Sequence, residues 1–142
     1  MDTTIDQVEG TVPVTVIGLT GELDASNYLD LIGVARTAYQ GGSRHVVVDL
    51  TNLTYMGSSG LVALYAIGQV IAGREPPDPE EGWGAFHSLA SDVESGTKSS
   101  NVMLVGPQPS VDRVLERTGL RHFYEVHPDR DSAIASFQAS AS

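Results

Sequence analysis

From Val46 to Leu64 the chain reads VVVDLTNLTYMGSSGLVAL, and no other stretch restricts the fold as strongly. Three consecutive valines describe a strand buried on both faces, the texture of a sheet with helices over it. Two serines between glycines then stop the strand period. The run that follows, Ser58 to about Ala72, is apolar almost all round and reads as a well-covered helix. A buried strand feeding a buried helix is half of a strand–helix–strand unit, and such a unit places its strands in parallel.

The rest of the chain supplies the partners. TTIDQVEG and VTVIGLTGEL alternate with the period of strands, and Gly10 and Pro13 between them mark so short a turn that the two should run antiparallel. Asp24 or Ser26 is expected to cap a helix whose apolar side is Tyr28, Leu31, Ile32, Ala35 and Tyr39, ended by Gly41-Gly42. NVMLVG reads as another buried strand. Ser110 is expected to cap a short helix carrying Val111, Val114 and Leu115, with Gly119 just past its end. HFYEV reads as the last strand, and a final helix begins near Asp131 with Ile134 and Phe137. The expected fold is therefore α/β: one domain over 1–142 with a mixed sheet, mostly parallel with an antiparallel N-terminal hairpin, covered by about four helices. Residues 74–100 are too long for a simple connection and read as an insertion. Its start is acidic and proline-rich, and Trp83, Phe86 and Leu89 could line one side of a short helix.

Composition narrows the function. There is no cysteine, so disulfides, thiolate metal sites and thiol nucleophiles are excluded, and a reducing interior is the easier setting. The histidines His45, His87, His122 and His127 stand far apart without metal-ligand spacing, so no metal is expected. A formal net charge of −10 argues against nucleic acid and is consistent equally with a partner that has a basic face and with solubility alone. The start, MDTTIDQVEG, is acidic and polar, unlike a signal peptide, and Leu61 to Gly73 is too short to span a bilayer. A cytoplasmic protein with no direct membrane insertion is expected.

The serine pair has three chemical readings. A nucleophile elbow needs glycines two residues either side of the serine, whereas Gly57 and Gly60 are only three apart, and neither His45 nor His122 is aimed at the pair. No enzyme is expected. GSSG also lacks the lysine and spacing of a phosphate-binding loop, so no nucleotide or other cofactor is expected either. A serine here can cap the helix, contributing about 1 kcal/mol. It can equally accept a phosphate, because a helix N-terminus tolerates the roughly −1.5 to −2 of added charge.

Three stretches together resemble the STAS domain family: VVVDLTNLTYMGSSGLVAL, a buried strand ending in Asp-Leu, a turn and a Ser-Ser-Gly-Leu helix start; GELD at 21–24; and VGPQPSVDRVLERTGLRHFYEV at 105–126. The free-standing form is similar to bacterial anti-sigma factor antagonists. The resemblance implies binding to an anti-sigma factor serine kinase, which frees a sigma factor. The kinase, using its own ATP, inactivates the antagonist by phosphorylating a serine that a phosphatase later clears. Carried onto this chain it makes Ser58 the phosphoacceptor and places Asp24, Tyr55, Met56, Gly57, Ser59 and Gly60 at the partner surface. One position departs: the family usually has Asp before the acceptor, and this chain has Gly57. The alternative that the family offers is an accessory subunit of a membrane lipid-transport ATPase.

Overall fold

A computed structural model describes residues 1–74, 91, 94–96 and 99–140. Trp83, Phe86 and Leu89 lie outside the described residues. The strands are β1 (Asp2–Val8), β2 (Val14–Leu23), β3 (Val46–Met56), β4 (Val102–Val105) and β5 (Glu125–His127). The described helices are α1 (Tyr28–Gln40), α2 (Ser58–Ile71), α3 (Pro109–Thr118), α4 (Leu120–Phe123) and α5 (Arg130–Ser140). The sheet order is β1-β2-β3-β4-β5, with β1 antiparallel to β2 and the rest parallel.

That order dictates where the helices go. From β2 onward each strand lies beside its predecessor in one direction. Right-handed crossovers then put every connecting helix on the same face. Leu31, Ile32 and Ala35 of α1, most of α2, Val111 and Leu115 of α3, and Leu120 and Phe123 of α4 share one core with Ile17, Val48 and Leu50 of the sheet. Among the described residues the other face is covered by α5, whose Ala133 and Phe137 pack on Val14, Val16, Val47, Met103 and Val105. Each such side chain, fully buried, stabilises by about 1.5–3 kcal/mol. On this second face Arg130 reaches across the sheet: its Nε donates to Asp49 Oδ2 at 2.5 Å and its Nη1 to Asp6 Oδ2 at 3.1 Å.

Three expectations are corrected. β3 does not end at Asp49-Leu50 but runs on to Met56, because its pairing with β2 shifts register twice, between Gly18 and Thr20 and again between Gly21 and Glu22. Each shift takes one extra residue from β3, so its buried side chains fall at Leu50, Leu53 and Met56 rather than at alternate positions. HFYEV is not all strand: His122 and Phe123 belong to α4, and only Glu125–His127 pair with β4. Ser110 does not cap α3. The cap position is Gln108 with Pro109 at the first turn, and the Ser110 hydroxyl donates to Thr54 O at 3.2 Å.

Candidate functional site

Two connections meet at the carboxyl edge of the sheet: the loop 24–27 between β2 and α1, and Gly57 between β3 and α2. They are fastened to each other. The Gly57 N–H donates to Leu23 O at 3.0 Å, and Thr54 Oγ1 donates to Gly21 O at 3.0 Å. Glu22 pairs with Tyr55 and Leu23 with Met56 in the parallel register. The first turns of α1 and α2 therefore emerge at one end of the domain.

α2 starts at Ser58. Its cap position is Gly57, in ordinary extended backbone at φ −85° and ψ −178°, and no side chain caps the helix. The expectation that a serine of the pair caps α2 is thus corrected. Ser58 and Ser59 are the first two residues inside the helix, one position too late to reach back over its free N–H groups. Ser58 is exposed and Ser59 half-buried. The first turn of α2 carries no acidic residue, whereas α1 has Asp30 there and α3 has Asp112.

Asp24 is engaged within its own loop. Its Oδ1 accepts from the Ser26 hydroxyl at 2.5 Å and the Ser26 N–H at 2.9 Å. These two bonds, the hydroxyl first, hold its pKa below the usual carboxylate range. Asn27 Oδ1 accepts from the Asp24 N–H at 3.0 Å, and Asn27 Nδ2 donates to Glu22 O at 2.8 Å. The cap position of α1 is Asn27, without a side-chain cap bond, so neither Asp24 nor Ser26 caps α1. These short side chains order the turn instead.

Tyr55 is 52% exposed, and its ring lies over Gly57: a Cβ at position 57 would come 3.3 Å from the Tyr55 hydroxyl. Met56 and Gly60 lie beneath. Met56 is in the core, and a Cβ on Gly60 would come 2.7 Å from Met56 Cγ and 3.0 Å from Leu23 Cγ. Asp24, Tyr55, Gly57, Ser58 and Ser59 thus reach the surface together, and Met56 and Gly60 support them from below. Sequence reasoning passes over Leu29, in the first turn of α1 and 53% exposed. Its signal is legible all the same, since Leu29 is an apolar residue off the stripe of Leu31, Ile32 and Ala35. Residues 20–31 and 51–60 contain Glu22, Asp24 and Asp30 but no histidine, lysine or arginine.

Residues 5–72, which include both connections, match the STAS domain family model. Over those residues the chain is similar to the STAS domain family. Among solved structures, the chain superposes on an anti-sigma factor antagonist from Mycobacterium paratuberculosis with a TM-score of 0.67 and 20% identity, covering 95% of this chain and 92% of that one. It superposes on the anti-sigma factor antagonist SpoIIAA in its unphosphorylated form with a TM-score of 0.60 and 19% identity over 97% of each chain. The phosphorylated form of SpoIIAA, a Bacillus cell fate determinant, gives 0.56 and 19% over 96% of this chain and 99% of that one. At these identities the likeness shows the STAS fold. No curated protein matches the chain by sequence.

Proposed function

We propose that this STAS domain is an anti-sigma factor antagonist: it binds an anti-sigma factor serine kinase through the edge formed by the loop after Asp24 and the start of α2, and so releases a sigma factor. Ser58 is the residue that the kinase phosphorylates and a phosphatase restores. ATP belongs to the kinase, and the STAS domain itself catalyses nothing. One observation carries the reading. Ser58 is exposed at the first position of a helix that has no side-chain cap and no acid in its first turn. A phosphate there sits at the positive end of α2, where the fold tolerates it. It also adds roughly −1.5 to −2 of charge and three bulky oxygens to the surface on which a partner would pack. The fold shared with antagonists, one of them solved in both phosphorylated and unphosphorylated forms, supports the assignment.

The experiment is a pull-down on the full chain from its own cells, identification of the bound protein, and incubation of the purified pair with Mg-ATP. The expected result is a serine kinase that releases the STAS domain as phosphate appears on the peptide bearing Ser58. Recovery of a transport ATPase subunit instead, with no phosphate on that peptide, would sink the proposal.

A further inference from the structure

The described surface leaves four large apolar side chains exposed: Met1, Ile5, Leu29 and Tyr55. Two of them stand at the Ser58 edge, Leu29 on the first turn of α1 and Tyr55 beside Glu22 in the register of β2 and β3. An exposed aromatic group of this size is a usual anchor of a protein interface, filling a pocket on the other side, and an aliphatic group beside it extends the apolar contact. The charge on the two segments that carry them has one sign. Glu22, Asp24 and Asp30 lie on residues 20–31 and 51–60, and those segments carry no cation. Asp24 is held in its ionised form by the Ser26 hydroxyl and amide.

Resting on the reading that this edge is the docking face, we infer that the face it meets has apolar pockets for Leu29 and Tyr55 and a rim of arginine or lysine opposite Glu22, Asp24 and Asp30. Division of labour follows. Rim charges steer association and set its salt dependence, while packed anchors set how long the complex lasts. The same division explains how a phosphate could break the complex although the partner is cationic. Ser58 adjoins Gly57 under the Tyr55 ring, within the packed part of the face, so a dianion there must be desolvated and accommodated rather than left at the rim.

The test uses the full chain and the protein it captures from its own cells, purified and identified. Leu29→Ser and Tyr55→Ala, both at exposed positions, are expected to keep the melting temperature within a few degrees and to speed dissociation at least tenfold. The triple variant Glu22→Gln, Asp24→Asn, Asp30→Asn is expected to slow association at low salt about tenfold and to flatten its salt dependence. Anchor variants that dissociate like the parent chain, or association indifferent to both salt and the triple variant, would overturn the inference even if the captured protein is a kinase. A captured protein of another kind that shows both effects would leave the inference standing and remove the proposed function. A photo-crosslinker placed at position 29 or 55 must join the chain to that same partner. Crosslinking only between copies of this chain would also overturn it.

Discussion

The hydroxyl of Tyr124 stands between Leu64 and Gly68 in the middle of α2. It donates to Leu64 O and accepts from the Gly68 N–H at 3.0 Å, bridging two backbone groups one helical turn apart. Tyr124 immediately precedes β5, so this wedge ties the far strand to the helix that presents Ser58. Position 68 has to be glycine for it: a Cβ there would come 2.4 Å from the Tyr124 hydroxyl. Burial pushes the phenol's pKa far above its usual value, so the bridge stays protonated at any working pH.

Two substitutions test the wedge against ordinary helix propensity. Alanine in place of glycine inside a helix normally stabilises by about 0.5–1 kcal/mol. Here Gly68→Ala should destabilise, because forcing a methyl against a buried ring costs about 1–3 kcal/mol. Tyr124→Phe leaves a buried donor and acceptor to find each other again and should cost about 1–3 kcal/mol. Chemical denaturation of both variants checks this, and a Gly68→Ala variant more stable than the parent would rule out the wedge.

The ion pair on the other face predicts a pH dependence. Burial acts to raise the Asp49 pKa, but the Thr51 hydroxyl, Arg130 and the Thr51 amide together outweigh it and hold the carboxyl below its ordinary value. A carboxyl depressed in the folded state stabilises fully above its unfolded pKa, about 3.9, and that stabilisation is lost as pH falls through and below it. Asp49→Asn should therefore cost about 1.5–3 kcal/mol at pH 7, the scale of a hydrogen bond to a charged group. Melting temperatures of parent and variant, measured from pH 7 down to pH 2, should converge at the acid end. A constant gap across that range would mean that the charge on Asp49 contributes nothing.

How much of this could be read beforehand depends on how local the signal is. The period-2 alternation of β1 and β2 and the valines of β3 announce their strands, although β1 is exposed almost throughout and the first half of β2 is buried on both faces. The second half of β3 is hidden, since its bulges place Leu50, Leu53 and Met56 three apart and imitate a turn. Phe123 and Tyr124, consecutive and both buried, mimic a strand covered on two faces although one lies in α4. Caps mislead for a different reason. Asp24 and Ser110 are good cap residues, but Ser26 and Thr54 compete for them, and that competition is set by tertiary placement. At the site, the grouping of Tyr55, Gly57 and Ser58 follows from order along the chain, and Asp24 joins them only through the family resemblance. Leu29 stands out in the sequence as an apolar residue off the stripe of α1, but that it shares an edge with Glu22, Asp30 and Tyr55 emerges only when α1 is placed beside α2.

Gly57 is open to a direct test. Its φ of −85° suits any residue, and the atoms nearest to a Cβ there belong to the exposed Tyr55 ring. Aspartate caps a helix better than glycine by a few tenths of a kcal/mol, and a carboxylate at an N-terminus adds about 0.3–1 kcal/mol. Gly57→Asp should raise the melting temperature by a few degrees and, with the cognate kinase, speed phosphate transfer to Ser58. A fall in melting temperature would mean that the Tyr55 ring is held firmly where it lies.

The serine pair itself yields the sharpest separation of fold from function. Because no side chain caps α2, neither hydroxyl contributes a cap bond, and alanine is the better helix former. Ser58→Ala and Ser59→Ala should each leave stability unchanged or raise it by a few tenths of a kcal/mol. A loss near 1 kcal/mol in either would restore that serine as a cap. Ser58→Glu puts a negative charge at the positive end of α2 and should stabilise the fold by about 0.3–1 kcal/mol. The same charge enters the packed part of the proposed docking face, where an ion must be desolvated, and should weaken kinase binding. Stability and affinity thus move in opposite directions for one substitution, a result that general damage to the fold cannot produce. Thermal melts beside kinase affinities for the parent chain, Ser58→Ala and Ser58→Glu, with and without Mg-ATP, make the comparison. Ser58→Ala should bind and no longer respond to ATP. If Ser58→Glu binds as tightly as the parent, the start of α2 lies outside the interface.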